Sequence, residues 1–194
     1  MKNIVIIGAG DLGKEVVWLI EDINKHNPSY LILGFLDDDP DKLGGEFYGY
    51  KVLGKEEDLE EIAKKTPLSA VIAIQDGKVR KRIVEKHKDF DAWESIIHPS
   101  AVIAQSSSVG KGGMVFPQVS ISVDTKVGDF SLLYINATIC NDCRIDDYVS
   151  VMNAASVSER CEIGSECFLA AGCTVYPHKK LGNQVEVGRF SLFK

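Results

Sequence analysis

Every sixth residue from Ile97 to Val187 is isoleucine, valine or leucine, sixteen positions in succession. Four residues after each stands a second series, from Ala101 and Ser107 to Ser191, in which only Lys179 is neither small nor β-branched. An α-helix cannot use this period, because residues six apart do not stay on one of its faces. A parallel β-helix of hexapeptides can. Each hexad supplies a short strand and a turn, the aliphatic and the small residue point inward, and three hexads close a triangular coil of about 18 residues. The ladder predicts about five such coils over residues 96–194, each covering the apolar edge of the next.

Residues 1–95 lack the period and alternate between strand and helix patterns. KNIVIIG reads as a buried parallel strand, KEVVWLIEDINK as an amphipathic helix and LILGFLDDD as a second strand ending in acids. KEEDLEEIAKK is a polar helix, SAVIAIQ a third strand and DGKVRKRIVEKHKD a third helix. Strands alternating with helices predict a parallel sheet flanked by helices. Gly8, Gly10 and Gly13 form GxGxxG between the first strand and the first helix, the context in which that motif cradles a phosphate. Asp37, Asp38 and Asp39 follow the second strand, where a carboxylate can accept from ribose or base. A tight turn with a helix cap and a solvated acidic loop would read the same way. About 95 residues hold little more than one of the two halves of a dinucleotide fold, which favours a mononucleotide or nucleotide-sugar over NAD.

Composition narrows the class. The chain has 194 residues, 45% hydrophobic and 26% charged, with net charge −6 and a pI near 5.3. That balance argues against a nucleic-acid binder, which needs a basic face. No apolar run approaches the roughly 20 residues that span a bilayer, so no membrane insertion is expected. The amino terminus leads straight into a glycine turn and does not read as a signal peptide; a cytoplasmic location is the expectation. The five cysteines are then thiols. Cys140 and Cys143 make a CxxC in form, but no second pair or histidine completes a zinc site, and no metal is expected. Four of the five belong to the small inward series, where a thiol behaves as a small hydrophobe.

The two halves together resemble the hexapeptide-repeat sugar acyltransferases of the sialic acid O-acetyltransferase and bacillosamine N-acetyltransferase type. The stretches that carry the resemblance are IVIIGAGDLGKEVVWLIEDIN, ILGFLDDD, YKVLG, IIHPSAVI, INATICNDCRIDDYVSV and CEIGSECFLAAGCTV. It implies a small Rossmann-like domain followed by a left-handed β-helix. It also implies acetyl transfer from acetyl-CoA to the amine or hydroxyl of a nucleotide-linked sugar for surface glycans. Such enzymes are homotrimers with active sites between neighbouring β-helices. The resemblance places Gly8, Gly10, Gly13, Asp37 and Asp38 around the nucleotide, Asn141 and Asp142 at the chemistry, and Ser150 and Gly172 along acyl-CoA.

The departures lie at the chemistry. The family has a histidine base followed by an orienting acid; this chain has Asn141 and then Asp142. An amide accepts no proton at neutral pH, and a general base is worth roughly 10²–10⁴ in rate. A second family histidine, at the acyl-CoA site, is replaced by Ser150, and Asp11 stands in the glycine loop where a small residue is usual. His26 and His87 read as solvated and His98 as structural. His178 shares an edge with Asn141 two coils further on, as an exposed turn with Lys179 and Lys180 or as a group offered to a neighbour. Three readings stay open: an impaired acetyltransferase, a non-catalytic sugar-nucleotide binder on the same scaffold, and an NAD-dependent oxidoreductase resting on GxGxxG alone.

Overall fold

The computed structural model describes all residues, 1–194, as two compact units. The first comprises Met1–Gln75 with Arg82–Glu94, the second Asp76–Lys81 with Ser95–Lys194.

In the first unit β1 (Lys2–Ile7) leads to α1 (Asp11–His26), whose apolar stripe Val16, Val17, Leu19, Ile20 and Ile23 is buried. The Asn24 side chain ties the exit of α1 to the next strand: its Oδ1 accepts from the Ser29 and Tyr30 N–H groups, both at 2.9 Å, and its Nδ2 donates to the Tyr30 carbonyl. β2 (Tyr30–Leu36) pairs parallel to β1. A hairpin that the strand and helix patterns do not announce follows, β3 (Glu46–Phe47) and β4 (Tyr50–Gly54). Its two turn residues, Tyr48 and Gly49, both take positive φ, as a tight hairpin turn requires. The polar helix begins as a 3₁₀ turn (Glu56–Asp58) and continues as α2 (Leu59–Lys65). β5 (Ser69–Ile72) then pairs with the free side of β1. The sheet order is β3-β4-β2-β1-β5, so the direction of winding reverses at β1, the place where open α/β sheets leave a crevice.

His87, read above as solvated, is 2% exposed. It follows α3 (Gly77–Lys86) and sits between two carboxylates, Nδ1 to Glu60 Oε1 and Nε2 to Glu56 Oε1, both at 2.5 Å. Sequence periodicity cannot show such a sandwich, because its two acids come from a different element.

The second unit is the left-handed β-helix. Seventeen two-residue strands, from Ile96–Ile97 to Leu192–Phe193, form three parallel sheets of six, five and six strands. Pairing steps by 18 residues, as in Ile103 to Ile121 to Ile139. The aliphatic ladder from Val115 to Val187 is buried. Ile103 and Val109 are only partly buried and Ile97 is 39% exposed, because the first coil has no coil beneath it. Each buried aliphatic contributes about 1.5–3 kcal/mol. That offsets a recurrent strain: every sixth residue from Gly112 to Phe190 has φ between 51° and 67°, and twelve of these corners carry side chains. A left-handed corner on a non-glycine residue costs on the order of 1–3 kcal/mol.

Cys143, Cys161, Cys167 and Cys173 are in this core. Three of them do more than fill space. The thiols of Cys143, Cys161 and Cys167 donate to the Ser158, Tyr176 and Gly182 carbonyls at 3.0, 3.1 and 3.0 Å. The hydroxyls of Ser107, Thr125 and Ser131 make the same bond to the Ser122, Cys140 and Asp146 carbonyls, also 15 residues on. The small inward position therefore recruits a short side chain with a donor, and a thiol serves there like a hydroxyl.

Candidate active site

The glycine loop is built by close packing. Gly8 has φ +105°, donates its N–H to the Leu36 carbonyl at 2.8 Å, and a Cβ there would lie 2.9 Å from the Ala73 carbonyl oxygen. A Cβ on Gly13 would collide with the Gly8 carbonyl, so α1 and β1 touch only because that position is bare. Gly10 is different. It is the N-cap of α1, has no side-chain cap, and a Cβ there would meet nothing within 4 Å. The N–H groups ahead of the Lys14 to Gly10 bond thus have no side-chain cap, the arrangement that favours an anion.

Asp37 completes this loop. Its Oδ2 accepts from the Ala9 N–H at 2.6 Å and its Oδ1 from the Asp39 N–H at 2.9 Å, with Lys42 Nζ at 3.5 Å. Asp38 turns away, its Oδ1 accepting from the Glu56 N–H at 2.9 Å and so holding the start of the 3₁₀ turn. Of the residues expected around a nucleotide, the structure brings Gly8, Gly10, Gly13 and Asp37 together and assigns Asp38 to a neighbouring turn. The exposed Asp11 carboxylate stands at the mouth of the loop with Lys14 Nζ at 3.0 Å.

On the β-helix, Asn141 and Asp142 form one corner. Asn141 Nδ2 donates to Asp142 Oδ2 at 2.7 Å, and Arg160 Nε lies 3.6 Å from the same oxygen. Asp142, with φ +58°, belongs to the left-handed column that continues through Arg160 to the exposed His178. An open groove of about 460 Å³ runs along the adjacent outer face, lined by Val102, Ala104, Ser120, Ser122, Thr138 and Cys140 among others, and ends beside this corner. Burial, with a smaller contribution from the Glu159 charge, pushes the Cys140 thiol up, away from reactivity.

Ser150 and Gly172 have structural explanations. Ser150 is 1% exposed and its Oγ accepts from Arg80 Nη2 at 3.0 Å. Arg80, in the first turns of α3, has no solvent exposure; its Nε donates to the Phe130 carbonyl at 2.8 Å and its Nη2 to the Tyr148 carbonyl at 2.9 Å. Burial lowers the guanidinium to about 10, partly offset by Asp76, and it stays charged at neutral pH. Nothing in VRKRIVEK distinguishes Arg80 from its solvated neighbours except helical phase. Gly172 has φ +67°, and a Cβ there would lie 2.5 Å from the Phe190 ring. No group of three or more histidine, cysteine or acidic side chains is placed to hold a metal, and no helix is long and apolar enough to cross a membrane.

Comparison with known proteins bears on the fold. Residues 3–87 match the PglD N-terminal domain family. No curated protein gives a significant sequence match. Among solved structures, the acetyltransferase domain of PglB from Neisseria gonorrhoeae is similar with a TM-score of 0.88 and 24% identity, covering 99% of this chain and 91% of that one. PerB from Caulobacter crescentus, in complex with CoA and GDP-perosamine, is 26% identical with a TM-score of 0.83, covering 100% and 92%. A histidine-to-asparagine variant of the Caulobacter perosamine N-acetyltransferase, also in complex with CoA and GDP-perosamine, matches at 26% identity and TM-score 0.83 over 97% and 90%. Residues 3–87 thus match a PglD-type amino-terminal domain, and the whole chain, with its left-handed β-helix, shares the architecture of these hexapeptide-repeat sugar acetyltransferase structures.

Proposed function

We propose that the chain transfers the acetyl group of acetyl-CoA to the amine of a nucleotide-linked amino sugar, with a hydroxyl as the alternative acceptor. The observation that carries this reading is the uncapped, unobstructed amino terminus of α1 at Gly10, present with Gly8, Gly13 and Asp37 in a chain whose β-helix matches structures holding CoA and GDP-perosamine. The diphosphate of the nucleotide meets the helix N–H groups, and Asp37 both shapes the loop and faces the ribose. The thioester arm follows the groove towards Cys140 and the Asn141–Asp142 corner. Ser150 acts only through Arg80, and Gly172 keeps its corner closed under Phe190. Three chains assemble, as the resemblance implies, and the protein works in the cytoplasm, where CoA thioesters and nucleotide-sugars are made.

Incubation with acetyl-CoA and a panel of UDP-, GDP- and dTDP-linked amino and hydroxy sugars tests the reading. Acetylated sugar by mass spectrometry with matching release of free CoA is expected. Absence of product across the panel overturns it.

A second reading has its own observation. The amide of Asn141 is engaged with Asp142 at the corner where the resemblance expects a histidine base. The Caulobacter variant with asparagine for histidine is a complex with both ligands, so in that enzyme binding survives the exchange. A chain that binds without turnover is thus the alternative, and the same assay separates the two.

A further inference from the structure

Resting on the acetyl-transfer reading, we propose that Glu159 is the proton acceptor of this chain, standing one coil above the place where a histidine base is expected. Glu159 follows Asn141 by 18 residues, one turn of the β-helix, so the two share an edge in register. The register is pinned by the Arg160 N–H, which donates to the Asn141 carbonyl at 3.0 Å. Adjacent coils lie about 4.8 Å apart, and a glutamate side chain spans that rise. Its charge reaches the Cys140 thiol, the residue before Asn141 at the end of the groove, as well as the Cys161 thiol of its own coil.

Two other acids near this corner are engaged, and Asp124, one coil below Asp142, is exposed to solvent where Glu159 is half-buried. Asp142 accepts from Asn141 and faces Arg160, and Glu162 pairs with Lys180 at 2.7 Å on the charged face. Glu159 makes no side-chain hydrogen bond or ion pair and is half-buried. A half-buried acid without a structural partner, one coil above an amide that cannot accept a proton, has the chemistry the site otherwise lacks.

The step balances. The sugar nitrogen lone pair attacks the thioester carbonyl, the C–N bond forms and the π electrons move to oxygen. The nitrogen, now cationic, passes a proton to the Glu159 carboxylate. The oxygen electrons re-form the carbonyl, the C–S bond breaks, and the departing thiolate takes that proton to leave as CoA. The products are the amide and the free thiol. Acylation of nitrogen suits a carboxylate, because the attacked amine becomes acidic before the proton must leave; a hydroxyl acceptor gains less.

Glu159→Gln is measured in the full chain with acetyl-CoA and the best acceptor of the panel. A fall in kcat of about 100-fold or more is expected, with acetyl-CoA affinity by calorimetry unchanged and the melting temperature within about 2 °C. Glu162→Gln, on the charged face, is expected to leave kcat unchanged. Asn141→His in the Glu159→Gln background is expected to restore turnover. A Glu159→Gln chain within twofold of the parent overturns the inference alone, as does a larger loss in Asp142→Asn than in Glu159→Gln. A parent chain that acetylates nothing overturns the acetyl-transfer reading and this inference with it.

Discussion

Asn141 Nδ2 and Asp142 Oδ2 are hydrogen-bonded at 2.7 Å, with the Arg160 guanidinium on the same oxygen at 3.6 Å. The corner thus keeps an acid oriented by its neighbour, but the neighbour is an amide. Asn141→His puts an imidazole beside an acid already positioned to orient it. The expected outcome is a rise in kcat of about tenfold to a hundredfold with little change in KM for either substrate, read by release of free CoA. A variant no faster than the parent would show that this corner is not where the proton moves.

The glycine loop separates packing from binding. Gly13→Ala forces a methyl into the Gly8 carbonyl and is expected to unfold the first unit or lower its melting point sharply. Gly10→Ala meets no protein atom and has an ordinary φ of −116°, so its stability cost stays below about 1 kcal/mol. It nonetheless places a methyl over the open N–H groups of α1. Calorimetry is expected to show nucleotide-sugar affinity reduced at least tenfold for Gly10→Ala, with acetyl-CoA affinity unchanged. Equal nucleotide-sugar affinity would remove the phosphate from this loop.

Arg80 holds the β-helix from the first turns of α3. Arg80→Met leaves the Phe130 and Tyr148 carbonyls and the Ser150 hydroxyl without this donor in a buried setting. At roughly 1 kcal/mol or more per orphaned group the loss is about 3 kcal/mol, or a melting point lower by about 6–12 °C for a chain of this size. Thermal denaturation followed by far-UV circular dichroism measures it. Ser150→Ala, which leaves the two carbonyl bonds in place, is expected to cost about a third as much.

The core thiols tie stability to alkaline pH. Burial pushes Cys143 and Cys173 up to about 11 and raises Cys161 and Cys167 as well, while an unfolded thiol ionises near 8.5–9. A folded pKa above the unfolded one means that the stabilising term is complete below about pH 9 and is lost as pH rises towards 11. Melting temperature should therefore fall across that window, and the Cys143→Ser, Cys173→Ala double variant should flatten the fall. At neutral pH a thiol reagent is expected to label Cys140 first, with the other four reacting only on unfolding.

How far the sequence reaches depends on the range of the interaction involved. The β-helix is legible from residue 97 onward because facing inward is a local property: two positions in each hexad must be apolar or small, and the count by six states which. The glycine loop is legible for the same reason, since strand, turn and helix are adjacent in the chain. Even the inward cysteines follow from the count, although their thiol bonds to Ser158, Tyr176 and Gly182 do not, because each acceptor lies 15 residues on and its distance depends on how coils stack.

By itself, then, the sequence determined the period, the two architectures and the bare positions that let α1 approach β1. Only the tertiary structure decided that Arg80 rather than its basic neighbours is buried, that His87 lies between Glu56 and Glu60, and that Asp37 serves the glycine loop while Asp38 serves a turn. It also decided that Glu159 is the acid left unpaired above Asn141. Those outcomes rest on which side chains of distant segments meet when the elements pack, and charge and hydrogen-bond partners chosen at that stage leave no periodic trace in the chain.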